Sequence, residues 1–190
     1  MLFIISHCKF YTAFTTIQTM NKFIILAITF FYLSTNAQES VKWLSFEEAI
    51  ALNKKNPKPI LIDVYTDWCG YCKKMDLYTY TNKTISEYIN KNFYAVKLDG
   101  EEKKDITFKD HTFKFKKEGK RGYHELSATL MNGKLSYPTT IFLSKKEKLL
   151  DRVPGYLDKE IMEKVLVYFS EECYKTKNWV EFNKDFKSNL

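Results

Sequence analysis

Glycine and proline are scarce in this chain, which has 6 glycines and 4 prolines among its 190 residues. That scarcity excludes a collagen-like fibre, because such a fibre needs glycine at every third position. Wholesale disorder is excluded as well, since 45% of the residues are hydrophobic and 28% are charged. The length is that of one ordinary domain.

Long apolar runs are missing too. The run Phe23–Leu33 has 11 residues, whereas a helix needs about 20 to span a bilayer. It follows a lysine-bearing start and precedes small residues that end at Ala37, which is the pattern of a secretory signal peptide. We therefore expect cleavage after Ala37, a mature chain from Gln38, and a periplasmic or secreted protein. Translation would begin at Met20, with 1–19 as a spurious upstream extension; an uncleaved N-terminal tether is the alternative.

Basic residues outnumber acidic ones by 30 to 23, which gives a formal charge of +7. The excess is spread along the chain and is a weak bias. The segment 101–123 carries eight Lys or Arg residues with interleaved phenylalanines, a composition that could stack on single-stranded nucleic acid. We interpret it as a solvated insertion, because exported proteins seldom meet nucleic acid, and expect no nucleic-acid partner.

Cysteine is also rare, with 4 residues, and Cys69 and Cys72 form a Cys-x-x-Cys motif at the start of a predicted helix. This spacing brings the thiols close enough for a disulfide. Helix N-terminal amides stabilise a thiolate, so the pKa of Cys69, the more exposed thiol, should fall, and Cys69 would attack while Cys72 resolves. A structural disulfide and half of a zinc site remain alternatives, although zinc would need two more ligands and no second close pair exists.

Few other residues offer further chemistry. The chain has 3 histidines, of which His111 and His124 lie in or beside the insertion. We expect both at the surface and neither as a ligand or base. Cys173 follows the last long predicted helix, and we expect it to be a small buried apolar residue rather than a third redox thiol.

Helical and strand patterns alternate along the chain, which favours an α/β sheet. Ser45 and Asp158 have the character of helix N-caps, and a capping signature at Thr84 opens another helix. The predicted helices are 45–55, one opening at the cysteine pair, one from Thr84, 123–132, 158–171 and one in 172–190. The predicted strands are 60–65, 93–99, the apolar run 135–143 and 149–153.

One combination of residues resembles the thioredoxin superfamily. The strand Ile60–Tyr65 contains Asp63, Trp-Cys-Gly-Tyr-Cys-Lys follows at the turn into a helix, and Tyr-Pro-Thr comes later, at 137–139. The resemblance covers about 41–170 and is strongest to exported bacterial thioredoxin-like proteins. It implies an α/β thioredoxin fold in a single domain, 38–190, with a mixed sheet flanked by helices, an insertion (101–123) before a cis-proline, and a C-terminal helical extension (172–190).

The resemblance also implies roles for residues. Cys69 and Cys72 would be the redox pair, Pro138 the cis-proline facing it, and Asp63 the buried acid that takes and returns the proton of the inner thiol. Lys97 matches the basic residue that accompanies this acid, with a surface lysine as the alternative. The residues implied to contact substrate are Trp68, Gly70, Tyr71, Tyr137 and Thr139.

These expectations describe an exported thiol–disulfide oxidoreductase that acts on protein thiols and disulfides, more as a reductase than as an oxidase. It would need no cofactor or metal beyond the Cys69–Cys72 disulfide, would be a monomer, and would take electrons from a membrane thiol relay. The alternatives are a non-catalytic binding module with a static disulfide and a metal-handling protein.

Overall fold

The computed structural model describes residues 40–190. The signal peptide expected over 1–37 and the start at Met20 lie outside the described residues. Within 40–190, no helix combines the length and apolar character that crossing a membrane requires.

Strands and helices alternate through the first half of the described chain, and two hairpins interrupt the alternation. In chain order the elements are β1 (Trp43–Leu44), α1 (Phe46–Lys55), β2 (Ile60–Tyr65), α2 (Gly70–Tyr78), α3 (Lys83–Asn92), β3 (Tyr94–Asp99), β4 (Ile106–Phe108), β5 (His111–Phe113), β6 (Phe115–Glu118), β7 (Arg121–His124), α4 (Glu125–Leu130), β8 (Thr139–Leu143), β9 (Leu149–Pro154), α5 (Lys159–Ser170), a 3-10 turn (Cys173–Lys175) and α6 (Trp179–Asp185).

The central sheet is mixed, as the sequence predicts. Its strand order is β1-β3-β2-β8-β9. The strands β1, β3 and β2 run parallel, whereas β8 is antiparallel to both β2 and β9. The sheet and the helices that cover it form the thioredoxin fold that the resemblance implies.

Local sequence signals set most helix boundaries. Ser45 caps α1 through a capping box with Glu48, and Asp158 caps α5 by accepting a hydrogen bond from the Ile161 N–H. The expectation that Thr84 caps α3 is wrong, because the side chain of Asn82 accepts from the Ile85 N–H and the helix begins at Lys83. An Asn is an equally good cap, and it lies two residues earlier.

Side-chain alternation along β2 divides the core between the two faces of the sheet. Ile60, Ile62 and Val64 pack with side chains of α1 and α4 on one face, whereas Leu61 packs with side chains of α2, α3 and α5 on the other. Asp63 shares the face of Leu61. The carboxylate therefore points toward the layer that contains the helix following the cysteine pair.

The insertion 101–123 forms two short hairpins, β4–β5 and β6–β7, each a two-stranded sheet of its own. Its end is fixed to the domain by the N–H of His124, which donates to the carbonyl of Gly100 at 2.7 Å. The expectation of a surface histidine at 124 is wrong: His124 is fully buried, because its Nδ1 caps α4 by accepting from the Leu126 N–H. His111 is exposed, as expected.

The C-terminal extension is helical, as predicted. The ring of Tyr168 on α5 lies 5.3 Å from Trp179 and 5.0 Å from Phe182, both on α6. Cys173 has a free thiol and is half-buried, so the expectation of a buried residue is wrong. A short 3-10 turn between two helices cannot enclose it as the centre of a packed helix would.

Candidate active site

A disulfide joins Cys69 and Cys72 at the N-terminus of α2, with their Cα atoms 5.3 Å apart. Cys69 is the N-cap of that helix, and its Sγ accepts a hydrogen bond of 3.0 Å from the Cys72 N–H. A thiolate at this atom in the reduced protein would face the same helix amide, which favours the charged form of the thiol. The motif predicts that Cys69 is the nucleophile, and the local sequence places its sulfur at a helix N-terminus.

The two cysteines are less accessible than the motif suggests. Cys69 is 5% exposed and Cys72 is 1% exposed, so the expectation of an exposed Cys69 is wrong, although the outer and inner positions are in the expected order. The exposed side chains beside them are aromatic: Trp68 is 50% exposed and Tyr71 is 64% exposed. Apolar surface for a protein substrate therefore flanks a largely covered disulfide.

The cis peptide expected before Pro138 is present between Tyr137 and Pro138. The loop is tied to the strand β9 through the Gly155 N–H, which donates to the carbonyl of Pro138 at 2.8 Å. The ring of Tyr137 meets the ring of Trp68 edge to face at 5.8 Å. The tryptophan before Cys69 and the tyrosine before the cis-proline thus form one surface.

Tyr137 is held in place by a glycine that sequence reasoning missed. A Cβ at Gly100 would collide with the Tyr137 ring, so only glycine lets the ring lie there. Burial, together with the carboxylates of Glu101 and Asp99, raises the pKa of Tyr137 to about 12. The phenol therefore stays neutral across the physiological range.

Gly70 and Thr139, both expected to contact substrate, differ in their exposure. Gly70 is exposed and has open space where a Cβ would lie. Thr139 is buried, and its hydroxyl donates to the carbonyl of Ser136 at 2.7 Å. The Thr139 side chain is thus used inside the loop, and Thr139 itself is paired in the sheet with Val64 and with Pro154.

A polar row crosses the sheet on the face covered by α2. In the strand register, Asp63 lies opposite Lys97 on β3 and opposite Thr140 on β8. Directly paired residues of neighbouring strands point to the same face, so all three side chains face the helix that carries Cys72. The ammonium of Lys97 contacts Asp63 Oδ2 at 2.6 Å, which places Lys97 beside the acid and excludes the surface-lysine alternative.

Asp63 is 1% exposed, and burial is the largest influence on its acidity. Desolvation raises the pKa of Asp63 above its ordinary value, and the Lys97 charge opposes this without cancelling it. Its second oxygen, Oδ1, makes no hydrogen bond of good geometry among residues 40–190, although the Tyr80 hydroxyl lies close enough to lower the pKa of Asp63. A carboxyl with a raised pKa holds its proton to a higher pH than an ordinary one, which suits it to take up and return a proton.

Two further residues of this network were not identified from the sequence. Asp76 forms a second ion pair with the Lys97 ammonium, and Tyr80 is fully buried with its pKa held well above the ordinary value by desolvation and by the Asp63 charge. Part of the signal was available: positions 72 and 76 are four apart in α2, which puts them on one helix face, whereas Tyr80 follows the end of that helix. Burial lowers the pKa of Lys97, but the two carboxylates outweigh it and raise the value overall.

The network has an opening to solvent. A cavity of about 310 Å³ is lined by Trp43, Asp76, Tyr80 and Lys97 among others, and the Asp76 side chain is 45% exposed. Protons could therefore pass between the buried carboxyl and water without crossing the apolar core. Among residues 40–190, no group of three or more His, Cys, Asp and Glu side chains could hold a metal ion.

Comparison with known proteins gives one family and several partial relatives. The family model described as "Thioredox_DsbH: Protein of unknown function, DUF255" matches residues 25–180. Spermatogenesis-associated protein 20 of Rattus norvegicus is 34% identical over 76 residues, which are 40% of this chain and 10% of that protein. The thiol:disulfide interchange protein DsbD of Vibrio vulnificus is 26% identical over 82 residues, covering 38% of this chain and 14% of that protein. The chain thus spans only a small part of these relatives.

Among solved structures, a thioredoxin from Thermus thermophilus superposes with a TM-score of 0.51 at 17% identity, covering 78% of this chain and 99% of that one. At this identity the likeness establishes the fold alone.

Proposed function

Because the chain belongs to the Thioredox_DsbH family and carries the cysteine pair of a thiol–disulfide oxidoreductase, we propose that it is an exported enzyme that reduces disulfide bonds in other proteins. The observation that carries this proposal is the position of Asp63, a buried carboxyl whose pKa is raised, on the sheet face covered by the helix of Cys72. A static disulfide has no use for a buried acid of this kind, which costs stability.

The exchange has two steps. The Cys69 thiolate attacks one sulfur of a substrate disulfide, so that the Cys69–substrate bond forms, the substrate bond breaks, and the second substrate sulfur leaves as a thiolate. Cys72 then attacks Cys69 Sγ, forms the Cys69–Cys72 disulfide and releases the first substrate sulfur. Two electrons and two protons pass to the substrate, and the enzyme dithiol is oxidised.

Asp63 would act in the second step. The inner thiol of Cys72 must lose its proton before it attacks, and Oδ1 of Asp63 is an acceptor with no other hydrogen bond of good geometry among the described residues. The Lys97–Asp76 pair would pass that proton to solvent through the adjoining cavity. Asp76 and Lys97 would thus act on the Cys72 proton through Asp63 and not on the sulfur directly.

Substrate would lie beside the cis-proline loop in extended form. The Tyr137 backbone would pair with it as an added strand, a mode in which main-chain hydrogen bonds give affinity for many sequences. Trp68, Tyr71 and Gly70 would meet its side chains, because they are exposed around the disulfide. For turnover, a dithiol donor must reduce Cys69–Cys72 again. The likeness to DsbD, a thiol:disulfide interchange protein, supports a thiol relay, and we propose that the donor is a membrane protein.

The trapping of mixed disulfides tests the exchange. Cys72→Ser removes the resolving sulfur, so the variant should accumulate covalent adducts with substrate proteins through Cys69, visible on non-reducing gels. Cys69→Ser is the matched control and should form none. If both variants are equally free of adducts while the wild type leaves insulin unreduced in the presence of dithiothreitol, the exchange function is wrong and a static binding module is favoured.

The direction is tested by the equilibrium potential of the Cys69–Cys72 couple against glutathione. A reductase should titrate near the thioredoxin value of about −270 mV, whereas a value near about −120 mV, that of DsbA, would contradict the reductase assignment.

Export has its own test. N-terminal sequencing of the soluble protein recovered from the producing cells should give Gln38 or a residue within a few positions of it, because signal peptides are cut after small residues such as Ala37. Recovery of soluble protein that begins at Met20 would overturn the export proposal and leave the chemistry at Cys69 unaffected.

A further inference from the structure

The insertion reaches the active site through one side chain. The guanidinium of Arg121, the first residue of β7, lies over the ring of Trp68, with Cζ 4.3 Å from the ring centroid. Trp68 precedes Cys69 and contacts Tyr137, so the β6–β7 hairpin, residues 115–124, forms one wall of the surface on which a substrate would lie.

This hairpin is firmly attached at its base. A Cβ at Gly122 would collide with the Phe115 ring, so the two strands pack closely there. The ammonium of Lys103 lies 3.0 Å from the centroid of that ring, and Lys116 pairs with Glu125 at 3.1 Å. Together with the His124–Gly100 hydrogen bond, these contacts attach the hairpin that bears Arg121 to the rest of the domain.

The Arg121 charge is not neutralised by the protein. The side chain is exposed, and among residues 40–190 no carboxylate lies within 4.0 Å of its guanidinium. Glu118 faces Arg121 in the strand register without forming an ion pair with it. A guanidinium stacked on an aromatic ring keeps all its N–H donors in the plane of the group, free for a carboxylate.

A second cation, Lys74, lies over another aromatic ring of this region. The ammonium of Lys74 is 4.8 Å from the ring centroid of Tyr156, which in turn contacts Tyr71 at 6.4 Å. Lys74 and the neighbouring Lys73 are exposed, and within the described chain neither has a carboxylate within 4.0 Å. Cations therefore lie over two rings, those of Trp68 and Tyr156.

Acidic residues oppose this field around Trp68 and Tyr137, among them Asp99, whose carboxylate helps to raise the pKa of Tyr137. Asp67 is exposed beside Trp68, and Glu101 accepts a hydrogen bond of 3.1 Å from the Trp68 indole N–H. Glu101 is thus at the N–H edge of the indole, whereas Arg121 covers its face, where a substrate chain would pass. Arg121 lies over the Trp68 ring and Lys74 over the Tyr156 ring, so the position of Arg121, and not the balance of charges, favours an acidic substrate.

We propose that the β6–β7 hairpin is a specificity element and that Arg121 makes this site favour disulfides in extended segments with an acidic residue close to the reacting cysteine. This inference rests on the exchange function proposed above and names its substrate class. The aromatic surface accepts many sequences, and the guanidinium adds a carboxylate-binding position at its edge.

The test uses two synthetic peptides, each with one internal disulfide, that differ only in carrying glutamate or glutamine on both sides of one cysteine. The reduced protein should reduce the glutamate peptide about two- to fivefold faster at low salt, the range of an exposed ion pair. About 0.5 M salt should remove the preference. Arg121→Gln should lose most of it and Arg121→Lys should keep part of it. Lys120→Gln removes the same charge from the adjacent turn position and should keep it in full.

The outcomes separate the two proposals. Equal rates on the two peptides with the wild type would overturn the inference and leave the exchange function in place. An equal loss of preference in Lys120→Gln and Arg121→Gln would also overturn it, because net charge would then be the cause. If neither peptide is reduced by a protein whose two thiols are titratable, the exchange function fails and the inference with it.

Discussion

Replacing Asp63 with asparagine removes one charge from the polar row and leaves its shape almost unchanged. Asp63 is 1% exposed, and its only ion pair among residues 40–190 is with Lys97 at 2.6 Å. Lys97 keeps its second partner, Asp76, in the variant. The substitution therefore does not leave an unpaired buried cation, which is the usual reason why breaking a buried pair is costly.

The sign of the stability change follows from the pKa of Asp63. Its folded pKa is raised above the ordinary value of 3.8, so burial outweighs the attraction of Lys97. The folded state therefore binds the proton more tightly than the unfolded state, and the wild type loses stability as the pH rises from about 3.8 through the folded pKa. Asp63→Asn has no such loss, so its free energy of unfolding should match the wild type in acid and exceed it at neutral pH.

The size of the gain in unfolding free energy depends on how far the folded pKa of Asp63 is raised. Each unit by which the folded pKa exceeds the unfolded one corresponds to about 1.4 kcal/mol. In a domain of this size, about 1 kcal/mol changes the melting temperature by about 2–4 °C. Activity should move the other way: the rate of mixed-disulfide resolution near neutral pH should fall about 10–100-fold, the usual contribution of a general acid–base.

Urea unfolding of the oxidised proteins from acid to about pH 9 measures the change in stability. Stopped-flow kinetics of the mixed disulfide that forms with a peptide disulfide, with Cys72 intact, measures the rate of resolution. Asp76→Asn is the control, because it neutralises the half-exposed partner of Lys97 and should leave the pH dependence due to Asp63 in place. A stability difference that is constant with pH, or a variant less stable than the wild type at every pH, would refute the reasoning. An unchanged resolution rate would remove Asp63 from the mechanism.

The remaining predictions concern the neighbours of this acid and the cis-proline loop. Lys97→Gln takes the cation away from Asp63, so the pKa of Asp63 should rise further. In urea unfolding, the variant should be less stable than the wild type above the folded pKa of Asp63 and equally stable in acid. A loss of stability that is independent of pH would contradict this. Gly100→Ala should displace the Tyr137 ring, lower the free energy of unfolding by about 1–3 kcal/mol in thermal unfolding and reduce exchange activity. Gly70→Ala, with open space around it, should change stability little. Equal effects of the two variants would contradict the packing argument.

The order of the elements and the fold class are determined by the sequence, since the signals are local. The capping residues Ser45 and Asp158 define helix starts within three residues of themselves, and an apolar run such as Ile60–Tyr65 is typical of a central strand. The Cys-x-x-Cys spacing likewise suffices for a disulfide at a helix start. These features need no knowledge of distant residues, and the structure has them where the sequence predicts them.

The contacts between distant residues were decided by the tertiary structure. The sequence left Lys97 open between a partner of Asp63 and a surface lysine, because only the strand register brings two residues 34 positions apart within 2.6 Å. His124 and Thr139 differ from this case, because their side chains are held by local hydrogen bonds, with the Leu126 N–H and the Ser136 carbonyl, that were not predicted from the sequence.

The stacking of Arg121 on Trp68 joins residues from a hairpin and a strand-to-helix turn, and nothing in either segment alone predicts it. Local propensity fixes which residues become helix or strand, because it acts within a few positions. Which side chains meet is selected by the packing of whole elements, where burying apolar surface across the sheet outweighs any single local preference.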